Sequence, residues 1–363
     1  MSKDAIKNIR VYAYTIPTDY PETDGTLEWN STTLVLVEIE GGGKKGIGYT
    51  YGDLSAARLI DKNFRELLVG KDALQLPATL PAITNITRNN GNCGITSMAI
   101  SAVDCALWDL KAKILDMSLA SLLGIVHSKI LVYGSGNFTS YPTDKLQEQF
   151  SNWTDKGIQY IKMKIGRKPD EDIDRVKAVR EAIGKNTRLF VDANGAYSVN
   201  QAIEKAGELA ELGVTWFEEP VSSEDLEGLR NVQQNVPPGM NITAGEYGYN
   251  LEYFKKMIAA GAVNIIQADA TRCGGISGFL KAGYLCEANH IPFSFHCAPA
   301  LHMQAATALP SFYIGEYYHE HVRIEQLLFD GVKQPVNGYL QPDPDAPGLG
   351  ITFKFQDAEK YQV

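Results

Sequence analysis

The apolar, β-branched and aromatic runs in "IRVYAYTI" and "STTLVLVEIEGGGKKGIGYTYG", bounded by polar and Gly-rich stretches, predict a small antiparallel meander near the start of the chain. The Gly41 to Gly43 run and the Lys44-Lys45 pair supply its turn. Between these strands, "PTDYPETDGTLEWN" is rich in Pro, Asp, Thr and Gly and reads as a loop. Helical segments follow, the clearest being "SMAISAVDCALWDLKAKIL" before the Gly124 of "SLLGIV". Residues 1–125 thus form an α+β domain. Beyond them the rhythm becomes strand, helix, strand. Apolar or β-branched runs occur at "ILVYGSG", "YIKMKI", "RLFVDAN", "TWFEEP", "NITAGE", "IIQADA", "PFSFHC" and "SFYIGEY", with helical stretches such as "DEDIDRVKAVREAIG" between them. Eight strands with crossover helices are what a (β/α)8 barrel requires, and residues 126–335 are assigned to it. Residues 336–363, turn-rich in "GYLQPDPDAPGLGITFKFQ", are expected to pack back on the first domain.

The second of these strands contains a conflict. In "IQYIKMKIG", Ile161, Met163 and Ile165 fall on one face and Lys162 and Lys164 on the other. At a sheet edge the lysines would be solvated and unremarkable. In a buried strand, two like charges about 7 Å apart need a function. The remaining strand ends carry Asp192, Glu218, Glu246, Asp269, His296 and Glu316. Counted from Lys164, the spacings are 28, 26, 28, 23, 27 and 20 residues, roughly one βα unit each time. Alone, each acid reads as a helix N-cap or a solvated loop residue, and the histidine as a hydrogen-bonded core residue. Together they would converge on the one mouth where the C-terminal ends of barrel strands open.

Charge and composition limit the partners. A net charge of −9 over 363 residues disfavours nucleic acid and anionic membranes. Five scattered cysteines without a CxxC suit free thiols in a reducing compartment. The polar start and the lack of any run of about 18 apolar residues add to the expectation of a cytoplasmic protein.

Chemistry follows from the set. Asp192, Glu218 and Glu246 on adjacent strands would repel one another unless a cation neutralised them, and an all-oxygen cage suits Mg²⁺, with Mn²⁺ as a substitute, better than Zn²⁺. The lysine pair can supply a base, since a neighbouring ammonium and desolvation both lower a lysine pKa. Asp269 and His296, on neighbouring strands, can form a hydrogen-bonded dyad. Two acid/base groups facing each other across a metal fit removal of a proton next to a carboxylate, with Glu316, if protonated, donating to the substrate carboxylate.

With "KMK", "VDAN", "FEEP", "TAGE", "QADATRCGGI", "SFH" and "GEYYHEH" in place, essentially the whole chain resembles the enolase superfamily, and within it the mandelate racemase subgroup. That resemblance implies an N-terminal capping domain over the barrel and a homo-oligomer. It also implies Lys164 as base on one face with Lys162 as its partner, Mg²⁺ on Asp192, Glu218 and Glu246, the Asp269–His296 dyad opposite, and Glu316 on the substrate carboxylate. Glu219 should point to the other face of its strand. The reaction implied is dehydration of an aldonate or aldarate; racemisation, epimerisation or lactone cycloisomerisation is the alternative, and a Schiff-base aldolase is the reading from another class. Substrate choice is expected from the capping loops, with Asp19, Glu22, Asp24, Trp29, Tyr51 and Asp53 as candidates, and from Asn194 and Arg272 on the barrel. Arg272, if free, would favour an aldarate by taking a distal carboxylate.

Overall fold

The computed structural model describes residues 2–155 and 157–363, without the side chains of residues 76–78. Three antiparallel strands, β1 (Ile6–Thr23), β2 (Glu28–Gly41) and β3 (Lys44–Tyr51), form the N-terminal sheet in the order β1-β2-β3. The segment read as a loop is largely ladder. Pairing is interrupted between Pro17 and Glu22, where proline lacks the donor a ladder needs, and resumes as Glu22 opposite Trp29 and Thr23 opposite Glu28. Only the tip turns. There the Asp24 carboxylate accepts the N–H groups of Thr26 at 2.7 Å and Leu27 at 2.6 Å.

The helix Ile95–Ile114 lies between this sheet and the rest of the chain and is buried along most of its length. Its small residues allow close approach. A Cβ added at Gly46 or Gly48 of β3 would stand 2.3 Å from the carbonyl oxygen of Ala106 or Ala102, so both positions require glycine. On its other side, the helix is hydrogen-bonded to the barrel. Asp104 accepts the Ser277 N–H at 2.8 Å and hydroxyl at 2.7 Å, Trp108 donates to the Ser277 hydroxyl at 2.8 Å, and Ser101 accepts the Gly274 N–H.

Eight parallel strands follow: β4 (Ile130–Gly136), β5 (Tyr160–Lys164), β6 (Arg188–Asp192), β7 (Val214–Glu218), β8 (Asn241–Ala244), β9 (Ile265–Ala268), β10 (Phe293–Phe295) and β11 (Phe312–Tyr318). They pair in chain order, and β11 returns to β4 with Gly315 opposite Val132, which closes the barrel. Alternation sorts its interior into layers. Tyr133, Phe190, Trp216, Ile265 and Ile314 form an apolar plug, with the rings of Phe190 and Trp216 stacked at 4.9 Å. Two residues further along β6, β7 and β11, on the same face, stand Asp192, Glu218 and Glu316. The charged layer therefore rests on a dry floor.

After the barrel, Tyr339–Leu340 pairs antiparallel with β4, and the Val363 N–H donates to the Ala13 carbonyl of β1. Among the described residues no helix is long and apolar enough to cross a membrane, and all five cysteines are free.

The seam between the two domains contains two wholly buried acids, Asp104 and Glu325, the latter accepting the Tyr49 hydroxyl at 2.6 Å. Burial, the dominant cause in both, pushes Asp104 up to about 7 and Glu325 to about 8. The folded chain thus keeps protons that the unfolded chain has released above about pH 4, so stability declines as pH rises from about 4 to about 8. Urea midpoints should fall between pH 5 and pH 8.5, and the Asp104→Asn/Glu325→Gln variant should flatten that slope; an unaltered slope would place its origin elsewhere.

Candidate active site

Lys162 and Lys164 lie within the closed barrel wall, paired on both sides, at 1% and 6% exposure. They are not an edge device. Each ammonium is held by carboxylates: Lys162 Nζ lies 2.5 Å from Glu218, 2.8 Å from Glu316 and 3.4 Å from Asp192, and Lys164 Nζ lies 2.5 Å from Asp192. Burial does oppose their charge, but these neighbours outweigh it and both lysines are raised above the ordinary range. The expectation of a lowered lysine pKa fails in this charge state because the acids lie closer than the second ammonium can offset.

Asp192, Glu218 and Glu246 are buried, and each has a carboxylate oxygen within 4.8 Å of the other two. Burial, then the charge of Asp192, drives Glu218 well above the ordinary carboxylate range. Glu246 Oε2 is buried with no hydrogen-bond partner. Glu219 does not point away as expected. It follows the last residue of β7 and takes a φ of +39°, which breaks the alternation, and its buried carboxylate is driven up by desolvation and by Glu246 and Asp192. Counted together, six carboxylates (Asp192, Glu218, Glu219, Glu246, Asp269, Glu316) share the mouth with the cations Lys162, Lys164 and Arg272. That excess, the unpartnered oxygen and the all-oxygen donor set fit a hard divalent cation.

Opposite the lysines, Asp269 Oδ2 lies 2.8 Å from His296 Nδ1, and Asp269 Oδ1 accepts the Thr271 N–H at 2.7 Å. Despite burial, the bond from His296 keeps Asp269 below the usual range, so it is ionised and holds a proton on Nδ1. Nε2 is left for chemistry, 3.3 Å from Glu246 Oε2 and 3.1 Å from Cys297 Sγ. The segment after β10 is bent sharply, with Cys297 at φ +53° and Ala298 at +41°, and it aims the Cys297 N–H at Glu316, 2.9 Å away. Glu316 is lowered, because Lys162 and His296 outweigh its burial. In this state it accepts hydrogen bonds and does not donate; as a donor it would first have to gain a proton.

These groups open onto a cavity of about 270 Å³ whose lining includes Lys164, Glu246, Asn194, Arg272 and His296 from the barrel and Asp24, Trp29 and Tyr51 from the cap. A larger cavity of about 670 Å³ adjoins it at Asn194 and Tyr247 but has neither lysine nor the dyad in its wall. Three expected substrate residues lie elsewhere. Asp19 pairs with His319 at 3.0 Å beside a separate cavity, Asp53 caps the helix Leu54–Leu59 by accepting the Ser55 N–H, and Glu22 is buried where it accepts the Trp29 indole N–H at 2.7 Å. Arg272 is not free: it contacts Glu246 at 3.4 Å and Asp269 at 3.7 Å and lies over the Tyr247 ring. Sequence reasoning missed Tyr318, His321 and Thr32, which line the pocket. The signal for His321 was its place five residues after Glu316, in the first turn of the helix His319–Leu328.

Comparison with known proteins agrees with this geometry. Residues 13–124 match the mandelate racemase / muconate lactonizing enzyme N-terminal domain, and residues 145–358 the enolase C-terminal domain-like family. The fold superposes on a mandelate racemase/muconate lactonizing enzyme-like protein from Rubrobacter xylanophilus with a TM-score of 0.97 and 50% identity, over 99% of this chain and all of the other. It also superposes on a racemase from Streptomyces coelicolor A3(2) with bound magnesium (TM-score 0.93, 32% identity, 99% and 100% coverage). The chain is 32% identical to a 3,6-anhydro-α-L-galactonate cycloisomerase from Streptomyces coelicolor, over 97% of this chain and 98% of the relative. It is 31% identical to an arabinonate dehydratase from Saccharolobus solfataricus, over 98% and 99%. A closed barrel with a lysine pair, a carboxylate triad and an Asp–His dyad at one mouth, and matches over nearly the full length, carry one conclusion: the chain belongs to the mandelate racemase subgroup of the enolase superfamily.

Proposed function

We propose that this protein is a Mg²⁺-dependent enzyme that removes the proton α to the carboxylate of a sugar acid, and that the reaction it completes is dehydration. One observation carries the reading: Lys164 and His296, the latter held by Asp269 behind it, both line the cavity that Glu246 enters. Asp192, Glu218 and Glu246 would hold the cation, as the unpartnered Glu246 oxygen and the charge excess support. When bound, it draws carboxylate charge away from the lysines and stabilises negative charge on the substrate carboxylate. Lys162, fixed between Glu218 and Glu316, acts as a fixed positive charge beside the developing enediolate.

In this reading Lys164 takes the α-proton on one face, or His296 Nε2 takes it on the other, as the substrate's configuration dictates. In the dehydration, the C–H electron pair becomes the enediolate, the β C–O bond breaks, and the hydroxyl leaves as water with a proton from His296 Nε2, which is the α-proton where His296 has taken it and the second proton of an imidazolium where Lys164 has. Tautomerisation of the enol gives a 2-keto-3-deoxy acid. The arabinonate dehydratase relative supports this outcome. The cycloisomerase relative supports a second reading, in which the same intermediate is quenched by proton return or ring opening. An aldolase is disfavoured by the carboxylates: Schiff-base chemistry on a lysine has no use for three buried acids gathered within 4.8 Å of one another.

Incubation of the Mg²⁺-loaded protein with sugar acids in D₂O should give α-deuterium exchange and a 2-keto product that semicarbazide detects, both lost on chelation. Deuterium exchange without keto product would move the reaction to epimerisation or cycloisomerisation; absence of exchange across the panel would reject the reading. His296→Asn should lower turnover by about 10²–10⁴-fold while leaving exchange on the lysine face, and Lys164→Ala should do the reverse. Glu246→Gln should raise the Mg²⁺ dissociation constant by about tenfold or more in titration calorimetry, whatever the substrate.

A further inference from the structure

We infer that the substrate carries one carboxylate only, its far end being an uncharged hydroxylated tail that the cap recognises. This rests on the reading above and narrows it to aldonate-type monoacids.

The pocket has two unlike ends. At the barrel end stand Lys164, Glu246, Arg272 and His296, the charged groups that a reacting carboxylate requires. The cap end is lined by Leu27, Trp29, Ser31, Thr32, Tyr51 and Gly52, with Tyr318 and His321 closing over from the barrel. Among these described residues there is no cation. The cap's one charged group in the pocket is Asp24, an anion, and its Oδ1 is already occupied by the Thr26 and Leu27 N–H groups. Arg272 does not compensate. It leaves the strand end beside Asp269, and its guanidinium is shared between Glu246 and Asp269 with the Tyr247 ring beneath it. His321 does not compensate either: its ring stacks on Tyr51 at 3.6 Å, and burial lowers it to about 3, leaving it neutral. A second carboxylate placed here would be desolvated, without a counter-charge and near an anion, a combination that proteins avoid.

A neutral tail finds what it needs at the same end. Tyr51 Oη and His321 Nδ1 are both buried and have no hydrogen-bond partner within the protein, so two polar groups of the wall are left to be satisfied by sugar hydroxyls. The faces of Trp29 and Tyr318 offer apolar surface for the C–H side of a sugar chain or ring. Trp29 is held in place by Glu22 behind it and by the edge of Phe138, 5.6 Å between centroids. Glu22 and Trp29 come from opposite sides of the ladder that replaces the expected loop.

The test compares acids of matched configuration that differ only at the terminal carbon, a primary alcohol or a carboxylate: gluconate with glucarate, galactonate with galactarate, and mannonate with mannarate. Exchange of the α-proton into D₂O gives relative kcat/KM, and calorimetry on Lys164→Ala/His296→Asn, which lacks both bases, gives binding without turnover. The monoacid should be preferred by at least 100-fold in exchange and bind more tightly in every pair that reacts. Thr32→Arg, which adds a cation at the partly exposed cap wall, should narrow that ratio at least tenfold. Equal or better use of the diacid, or a ratio unmoved by Thr32→Arg in a variant that retains its fold, would overturn the inference and leave the α-proton chemistry standing. Failure of both members of every pair to exchange would overturn the chemistry and, with it, the inference.

Discussion

Everything at the mouth of this barrel depends on how its buried negative charge is balanced. Six carboxylates converge where three cations are available, in a layer closed from below by Trp216 and Phe190 and facing the cap across the cavity above. Such a layer is tolerable only because cations are shared between acids, Lys162 among three and Arg272 between Glu246 and Asp269. Lys162 alone touches carboxylates from three strands, and the indole of Trp216 donates to Glu218 from the floor at 3.0 Å. The strand spacing fixes which charges can meet, and the ion pairs in turn hold the strand ends in one arrangement. Removal of either lysine would leave buried acids uncompensated, a penalty that commonly exceeds what the pair contributed.

The (β/α)8 barrel was legible because its signal is local and repeated. Each strand is a short apolar run, and each from the second onward carries an ionisable residue at or just past its end, one βα unit after the last, so alternation places Asp192 over Phe190 and Glu218 over Trp216 without any knowledge of tertiary contacts. The acid triad and the Asp–His pair could be named for the same reason. Where the backbone departs from strand geometry, this reasoning stops working. Glu219 was misplaced because a positive φ turns it back toward Glu246, and no pattern of residue types announces that turn.

Long-range effects were likewise out of reach. The composition of residues 17–30 reads as loop, yet Glu22 and Trp29 find each other across a ladder that only the pairing of β1 with β2 creates. Arg272 looks available in the sequence and is spent in the fold, since Glu246 and Asp269 lie 26 and 3 positions away along the chain. The protonation behaviour of Lys164 was misjudged on the same ground: the lysine at i−2 is visible in the sequence, whereas the Asp192 oxygen 2.5 Å away belongs to the next strand. Chemistry that depends on which charges touch is settled by packing.

The seam between cap and barrel is made largely through main-chain atoms of the barrel. Thr50 donates to the Thr271 carbonyl, the Ser97 hydroxyl sits 2.6 Å from the carbonyls of Tyr249 and Arg272, and Ser101 receives the Gly274 N–H. A joint of that kind is indifferent to the identity of most side chains in the loops it clamps. The loops after β8 and β9 can therefore change their side chains while the cap stays docked in register, and cap strands can exchange residues at the pocket wall without loosening the clamp. Adaptation to a new acid is, on this architecture, separable from the adaptation that keeps the protein folded.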